Sequence, residues 1–325
     1  MCLRFSNVVC LINRLSFSKD SAQNITIVVL NFMKDKLIRL FARVLIQIHI
    51  LKRMVVIKMD GGICSQMHFY LIGQYFVKRD CIVKYDLHWF EKCGKDLTGN
   101  YVRNFDLLKA FPYLQFEEVK EWERYFYTRL SAPTDATVYQ LTSPVYMGGY
   151  YEGSEDLYSH MFPDSFHLCP EILDEDNRYL YDVIHSHVET VAIHIRRGDL
   201  AIYNGAYGNP VDTEYFVKAI NSIGTEYTHL NCYLFSDEPQ WIRQVLLPLL
   251  PSGNDYTVVD MNGSDKGYMD MYLISACKYQ ITSKGSLGKY GGLLNPSVSG
   301  KIIVFDDQVE RYNWSNKHPK IIFLS

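Results

Sequence analysis

His194-Ile195-Arg196-Arg197-Gly198-Asp199 places two arginines and a carboxylate directly after the apolar run Val191 to Ile195. A guanidinium presents its N–H donors in a planar fork that grips oxyanions, so two of them at a strand end suit a diphosphate. A surface salt-bridge cluster would carry the same charges. The strand-end position and Gly198 favour the anion reading, because ligands of parallel α/β sheets bind beyond the carboxyl ends of the strands. Two glycine-bearing turns follow the same logic. Gly61-Gly62-Ile63-Cys64-Ser65-Gln66-Met67 comes after the apolar stretch Val55 to Met59 and opens a helix, where glycine permits close approach and the helix N-terminus favours an anion. It lacks both the G-x-G-x-x-G spacing and the Gly-Lys-Ser/Thr ending of known phosphate loops, so alone it reads as a turn. The third segment runs from Asp270-Met271-Tyr272-Leu273 to Ser283-Lys284-Gly285-Ser286, a helix, a strand and a small-residue turn. Ser286 there serves either as an N-cap or as a hydroxyl that contacts phosphate.

The elements that must position these residues alternate. Strands are predicted at 55–59, 82–85, 191–195, 232–235, 256–259, 279–282 and 301–305. Helices are predicted at 65–76, 103–111, 119–130, 174–188, 213–223, 240–250, 268–277 and 286–294. Repeated strand-helix units with short joints imply α/β architecture with parallel sheets flanked by helices. Three regions are expected: an N-terminal extension over 1–53, a first α/β domain over 54–180 and a second over 181–325.

Bulk composition narrows the partners. A net charge of -3 with interleaved signs provides no basic footprint for nucleic acid. The eight cysteines, Cys2, Cys10, Cys64, Cys81, Cys93, Cys169, Cys232 and Cys277, form no C-x-x-C pair, which argues against a zinc site or a disulfide framework and fits a reducing cytoplasm. In residues 1–32, the apolar runs Val8 to Ile12 and Ile25 to Phe32 are too interrupted for a membrane span and lack a signal-peptide cleavage site. From Met33 to Arg53, Lys34, Lys36, Arg39, Arg43, Lys52 and Arg53 alternate with Leu37, Ile38, Leu40, Phe41, Val44, Leu45, Ile48 and Leu51. That is a basic amphipathic helix, which either lies against the anionic inner membrane face or packs its apolar stripe on the main domain.

The three motifs, in this order and spacing, resemble those of the α-1,2-fucosyltransferases of glycosyltransferase family 11, over about Val55 to Pro296. Gly61 to Met67 resembles the family's Gly-Gly-Leu-Gly-Asn-Gln-Met. His194 to Asp199 matches its His-x-Arg-Arg-Gly-Asp at every defined position. Ser236-Asp237 with Pro239 is similar to its Ser-Asp-x-Pro element, and Asp270 to Leu273 to its Asp-Met-x-Leu helix. The resemblance implies a GT-B-type fold of two facing Rossmann-like domains, acceptor bound by the first and GDP-fucose by the second. It implies that Gly61, Gly62, His194, Arg196, Arg197, Asp237, Asp270 and Ser286 line the donor site, with Arg196 on the diphosphate, Asp270 reading guanine and Ser286 on phosphate. His194 and Arg197 take supporting roles. The acceptor it implies is a galactose-containing glycan, free or lipid-linked, such as the repeat unit of a bacterial surface polysaccharide. Two stretches depart from the family: Cys64-Ser65 stands in place of Gly-Asn, and Lys284 to Tyr290 in place of Asn-Ser-Thr-Phe-Ser-Trp-Trp.

Inverting displacement at a β-linked GDP-sugar needs positive charge near the departing diphosphate, which Arg196 supplies, so neither a metal nor any other cofactor is expected. Asp199 serves either as the general base or as the group that orients Arg196. A metal-dependent route would draw on Asp174-Glu175-Asp176 or Asp306-Asp307, and the first of these reads instead as N-terminal helix charge. A binding protein that has kept the diphosphate site without turnover is the rival class.

Overall fold

The computed structural model describes residues 19–325 except 93, 97, 98, 100, 131, 141–143, 203–207, 226 and 298, with side chains described from Met33 onward. The run Val8 to Ile12 and Cys2, Cys10 and Cys93 lie outside the described residues.

The chain opens with helix α1 (Lys19–Gln47) and enters a first sheet of three parallel strands, β1 (Met54–Lys58), β2 (Ile82–Asp86) and β3 (Val145–Met147), in the order β2-β1-β3. Strand side chains alternate between faces, and β1 is buried on both. Val55 and Ile57 pack under α2 (Ile63–Val77). Met54 and Val56 pack on the opposite face with Ala42 and Ile46 of α1 and Tyr127 of α3 (Glu121–Tyr127). The second sheet holds six parallel strands in the order β6-β5-β4-β7-β8-β9: β4 (Thr190–Ile195), β5 (Asn231–Ser236), β6 (Asp255–Val259), β7 (Tyr279–Thr282), β8 (Ile302–Phe305) and β9 (Ile321–Leu324). Helices α4 (Glu175–Ser186), α5 (Gly198–Ile202), α6 (Thr213–Gly224), α7 (Gly267–Ala276), α8 (Leu287–Leu294) and α9 (Gln308–Trp314) complete this unit. The architecture is the expected GT-B-type one, two parallel sheets each flanked by helices.

Several boundaries differ from expectation for identifiable reasons. The basic helix expected over 33–53 ends at Gln47. The chain then turns through His49 at φ 60, and the amides of Ile50 and Leu51 bond back to the Leu45 carbonyl, so that Leu51 and Met54 can enter the core. The helix expected over 103–111 shrinks to Leu107–Ala110, since Gln66 captures the Asp106 and Leu107 amides and Pro112 cannot extend it. The helix over 119–130 is limited to Glu121–Tyr127. The segment expected as one helix over 240–250 breaks into a short turn, a π-turn over Ile242–Leu246 and a 3₁₀ turn over Leu247–Leu249, because Pro248 offers no amide. The boundary drawn between 180 and 181 falls inside α4, whose Leu180 and Ile184 pack with Ala192, Tyr233 and Phe235 of the second sheet. We place the division at Asp174, the N-cap of α4.

The C-terminal segment, which the sequence pattern did not resolve past Phe305, crosses back to the first unit. Trp314 packs against Tyr158, their rings 5.5 Å apart, and Lys317 pairs with Glu152 at 2.7 Å.

Candidate active site

Three strand ends converge. The turn after β1 is fixed by Gln66, whose side chain is fully buried. Its Nε2 donates to the carbonyls of Gly61 (3.1 Å) and Asn104 (2.9 Å), and its Oε1 accepts from the amides of Asp106 (2.9 Å) and Leu107 (3.0 Å). All the bonding capacity of the amide is used, which locks the glycine turn to the 104–107 segment. Gly61 has φ +73, and a side chain there would strike Ser65. Gly62 lies beside the Arg103 guanidinium. Gln66 was within the motif recognised from sequence but had been given no task.

At the end of β4, Arg196 is held by a two-point pair with Asp199. Its Nε donates to Asp199 Oδ1 at 2.9 Å, and a second guanidinium nitrogen donates to Oδ2. The Arg196 amide donates to Ser283 Oγ at 2.9 Å, which ties β4 to the turn after β7. Arg197 points elsewhere: its guanidinium stacks 3.8 Å above Trp241 and pairs with Glu238. Asp237 accepts from the amides of Arg197 (2.9 Å) and Gly198 (3.0 Å), so both of its oxygens hold the backbone of the arginine turn and the start of α5. Burial raises its pKa. His194 faces inward on β4, its Nδ1 buried without a hydrogen-bond partner. Burial, with the Lys289 and Arg196 charges, pushes its pKa down to about 3, so it is neutral.

The turn after β7 is braced from beneath. Lys289 on α8 is fully buried and donates to the carbonyls of Ser283 (2.9 Å) and Gly285 (2.6 Å), while its ammonium pairs with Glu310 of α9 at 2.8 Å. Glu310 in turn accepts the Gly285 amide at 3.2 Å through its other oxygen. Burial lowers the Lys289 pKa and Glu310 opposes that shift. The Arg196 guanidinium lies directly over Gly285, which has φ +83 and no room for a side chain. Helix α8 can approach so closely because a Cβ at Gly288 would fall 2.7 Å from His194, at Gly291 2.5 Å from Ile274 and at Gly292 2.7 Å from Ile302. The departure at Lys284 to Tyr290 therefore puts glycine at 285 and 288, where the family's run has serine, and a buried, ion-paired lysine at 289, where it has tryptophan. Glu310 lay outside every motif. A lysine in the middle of an apolar, glycine-rich segment was the available signal for it, since a buried ammonium requires a counter-charge.

The two units meet where Cys64 of α2 lies beside Ser286 at the start of α8. Burial pushes the thiol up to about 12 against the opposing pull of Ser286 and the Lys289, Arg196 and Arg103 cations, so Cys64 fills space as a neutral thiol. Ser286 is the N-cap residue of α8, yet its side chain makes no capping bond. Nearby, a buried chain of hydrogen bonds also crosses the units. His68 Nε2 lies 2.6 Å from the Tyr151 carbonyl, its Nδ1 2.9 Å from Tyr158 Oη, and Tyr158 Oη 3.3 Å from Tyr290 Oη. Burial holds the His68 pKa at about 4; the ring is neutral, donates from Nε2 and accepts from Tyr158.

Asp270 belongs to a separate cluster on α7. One of its oxygens accepts from Asn262 at 2.7 Å, and Asn262 exchanges hydrogen bonds with Asn177 at 2.8 and 2.9 Å. Burial raises its pKa from 3.8 to about 7. Asp174 caps α4 by accepting the Asn177 amide and pairs with Lys266 at 2.9 Å, which explains the acidic triplet as helix capping. Asp306 is paired with Arg311 and Asp307 caps α9 and pairs with Lys284. Among the described residues there is no group of three or more His, Cys, Asp or Glu side chains arranged to hold a metal ion. The structure thus gathers Gly61, Gly62, Arg196, Asp199 and Ser286 around one junction. Arg197, Asp237 and His194 lie behind it, and Asp270 stands in its own cluster.

The model of glycosyl transferase family 11 matches residues 104–323, more than half of the chain. The chain belongs to glycosyl transferase family 11. The matched span starts after Gly61 to Met67 and runs beyond Pro296 to the last strand. A curated relative, the O-antigen biosynthesis glycosyltransferase WbnK of Escherichia coli, is 26% identical over 144 residues, 43% of this chain and 44% of that protein; the chain therefore spans less than half of that relative's length. Among solved structures, a glycosyl transferase family 9 protein from Veillonella parvula aligns over 84% of this chain and 86% of that one at 9% identity and a TM-score of 0.43. FUT1 of Arabidopsis thaliana in complex with GDP aligns over 79% and 71% at 13% identity and a TM-score of 0.43. The lipopolysaccharide heptosyltransferase II of E. coli aligns over 83% and 90% at 10% identity and a TM-score of 0.42.

Proposed function

We propose that this glycosyltransferase moves fucose from GDP-fucose to a galactose O2 hydroxyl of a glycan, with inversion and without a metal. The observation that carries the reading is the Arg196 guanidinium at the end of β4, seated over Gly285 beside Ser286 and aimed by Asp199. In the displacement, the acceptor oxygen bonds to the anomeric carbon as its bond to the diphosphate breaks. The acceptor proton passes to a base, and GDP departs with the electron pair. Arg196 stabilises the charge that builds on the departing diphosphate, and the Ser286 hydroxyl and adjacent amides add donors. Asp199, forked to Arg196, is the orienting group rather than the base. Asp270 binds the guanine N–H edge in its ionised form. Gly61 and Gly62 bring the first unit close to the transferred sugar. The named role of the E. coli relative in O-antigen biosynthesis supports a bacterial surface polysaccharide, free or lipid-linked, as acceptor. The free thiols of Cys64, Cys81, Cys169, Cys232 and Cys277 suit a reducing cytoplasm.

Calorimetric titration with GDP, GDP-fucose, GDP-mannose and UDP-galactose, in EDTA and then in manganese, tests donor and metal together. Binding of GDP and GDP-fucose that ignores EDTA, with fucose transfer to a galactoside, is the expected result. A requirement for manganese or a preference for UDP overturns it, and binding without any turnover identifies a binding protein instead. Arg196→Ala should abolish transfer and weaken GDP by roughly 2–5 kcal/mol, the scale for stripping one partner from a desolvated charge pair. Arg196→Lys should recover little, because an ammonium cannot reproduce the fork.

A further inference from the structure

Helix α1 has two apolar faces, and only one of them is used. At about 3.6 residues per turn, Ala42 and Ile46 fall on the side that packs on β1 and α3. Met33, Leu37, Leu40, Phe41, Val44 and Ile48 fall on the opposite side in one stripe. That stripe is open to solvent: Leu37 is 65% exposed, Leu40 60% and Phe41 55%. A single exposed leucine is ordinary; six large apolar side chains aligned along four turns of one helix are a surface. Two aromatic residues of the neighbouring α3, Trp122 (47% exposed) and Tyr125 (43%), are also open to solvent, and Phe126 of that helix lies 6.0 Å ring to ring from Phe41.

Charge identifies the partner. Lys34 flanks the stripe on one side and Arg43 on the other, while Arg39 turns away from the stripe and donates from Nε to the Arg129 carbonyl at 2.7 Å. From Met33 to Arg53, six lysines and arginines stand against one aspartate, in a chain whose total is -3. That aspartate, Asp35, lies 3.6 Å from Arg129. An apolar stripe bordered by long cations, with tryptophan and tyrosine nearby, matches the interface of an anionic bilayer: the stripe enters the headgroup–acyl boundary while the cations reach the phosphates. A protein groove would not need the cationic borders. No helix among the described residues is long and apolar enough to cross a membrane, so α1 would lie in the plane of the surface.

We propose that α1, together with Trp122 and Tyr125, docks this protein on an anionic membrane surface. The docking holds the first sheet at the bilayer, since the face of α1 opposite the stripe is the one that covers β1. This goes beyond the transfer reading and is tested without it. The full chain is sedimented with phosphatidylcholine vesicles and with vesicles containing phosphatidylglycerol. Binding to the second kind alone, weakened by salt, is the expected result. Lys34→Ala with Arg43→Ala should lower the vesicle affinity about fivefold per lost cation. Leu37→Asp with Leu40→Asp, the two most exposed positions of the stripe, should abolish binding while leaving the melting temperature and the vesicle-free molecular mass unchanged. Absence of binding, equal binding to neutral vesicles, or binding indifferent to the Asp variant overturns the proposal. So does a dimer that the Asp variant splits, which would make the stripe an interface between copies of this chain.

Discussion

The turn after β1 and the turn after β7 face each other across the Cys64–Ser286 contact and are held by opposite means. Gln66 secures the first with a neutral amide whose four hydrogen bonds are all made. Lys289 and Glu310 secure the second with a buried ion pair that grips two carbonyls and one amide. A neutral strap gives rigidity without a field. The charged strap, neutral only as a pair, depends on both partners, because a lone buried charge is far more expensive than a lone amide.

Breaking the charged strap should have the largest effect. Glu310→Ala leaves the Lys289 ammonium unpaired at full burial and should cost about 3–5 kcal/mol, read as a fall in denaturant midpoint. Adding Lys289→Met should recover much of that loss, which would separate the cost of the orphan charge from the value of the pair. Breaking the neutral strap comes next. Gln66→Leu deprives two amides and two carbonyls of their partner and should cost roughly 2–3 kcal/mol; a loss as large as that of Glu310→Ala would remove the distinction between the straps. Gly288→Ala should cost roughly 1–3 kcal/mol through overpacking against His194, measured by thermal melting, with the second turn displaced.

The smallest effect is one of slope. Asp270 holds its proton to about pH 7 when folded and to its ordinary 3.8 when unfolded. The folded state therefore binds more protons between those limits, and the stability this provides is present below about pH 4 and lost as pH rises towards 7. Asp270→Asn should flatten that part of the stability–pH curve. Because we assign the ionised form to guanine, GDP binding near pH 6 should release protons from the wild type, seen as a buffer-dependent binding heat, and fewer from Asp270→Asn.

The strand ends were legible because burial on both faces writes a parallel strand as an unbroken apolar run, as in Val191 to Ile195, and the polar residues that follow then stand out. Strand β3 was not, since Val145 to Met147 is three residues long and too short to show a period. The β8–α9–β9 closure was missed for a similar reason: Ile321 to Leu324 is an edge strand with one neighbour. Within the site, the motif residues drew attention to side chains that point at a ligand. The residues that hold the backbone make contacts 25 to 41 positions away in the chain, so that Gln66 and Asp237 stood inside motifs that did not show this role and Glu310 stood outside all of them.

The buried chain from Tyr290 through Tyr158 and His68 to the Tyr151 carbonyl has a fixed polarity. The carbonyl can only accept, so the imidazole must donate from Nε2, and Tyr158 must therefore point its proton at Nδ1 and take one from Tyr290. Its longest link, 3.3 Å between the two tyrosine hydroxyls, is the one that joins α8 to the first unit. A swing of the two units apart would part the chain there first, leaving the His68 proton in place while its chemical shift moved. The imidazole is thus a built-in magnetic reporter of closure, readable in solution without any label at the site itself.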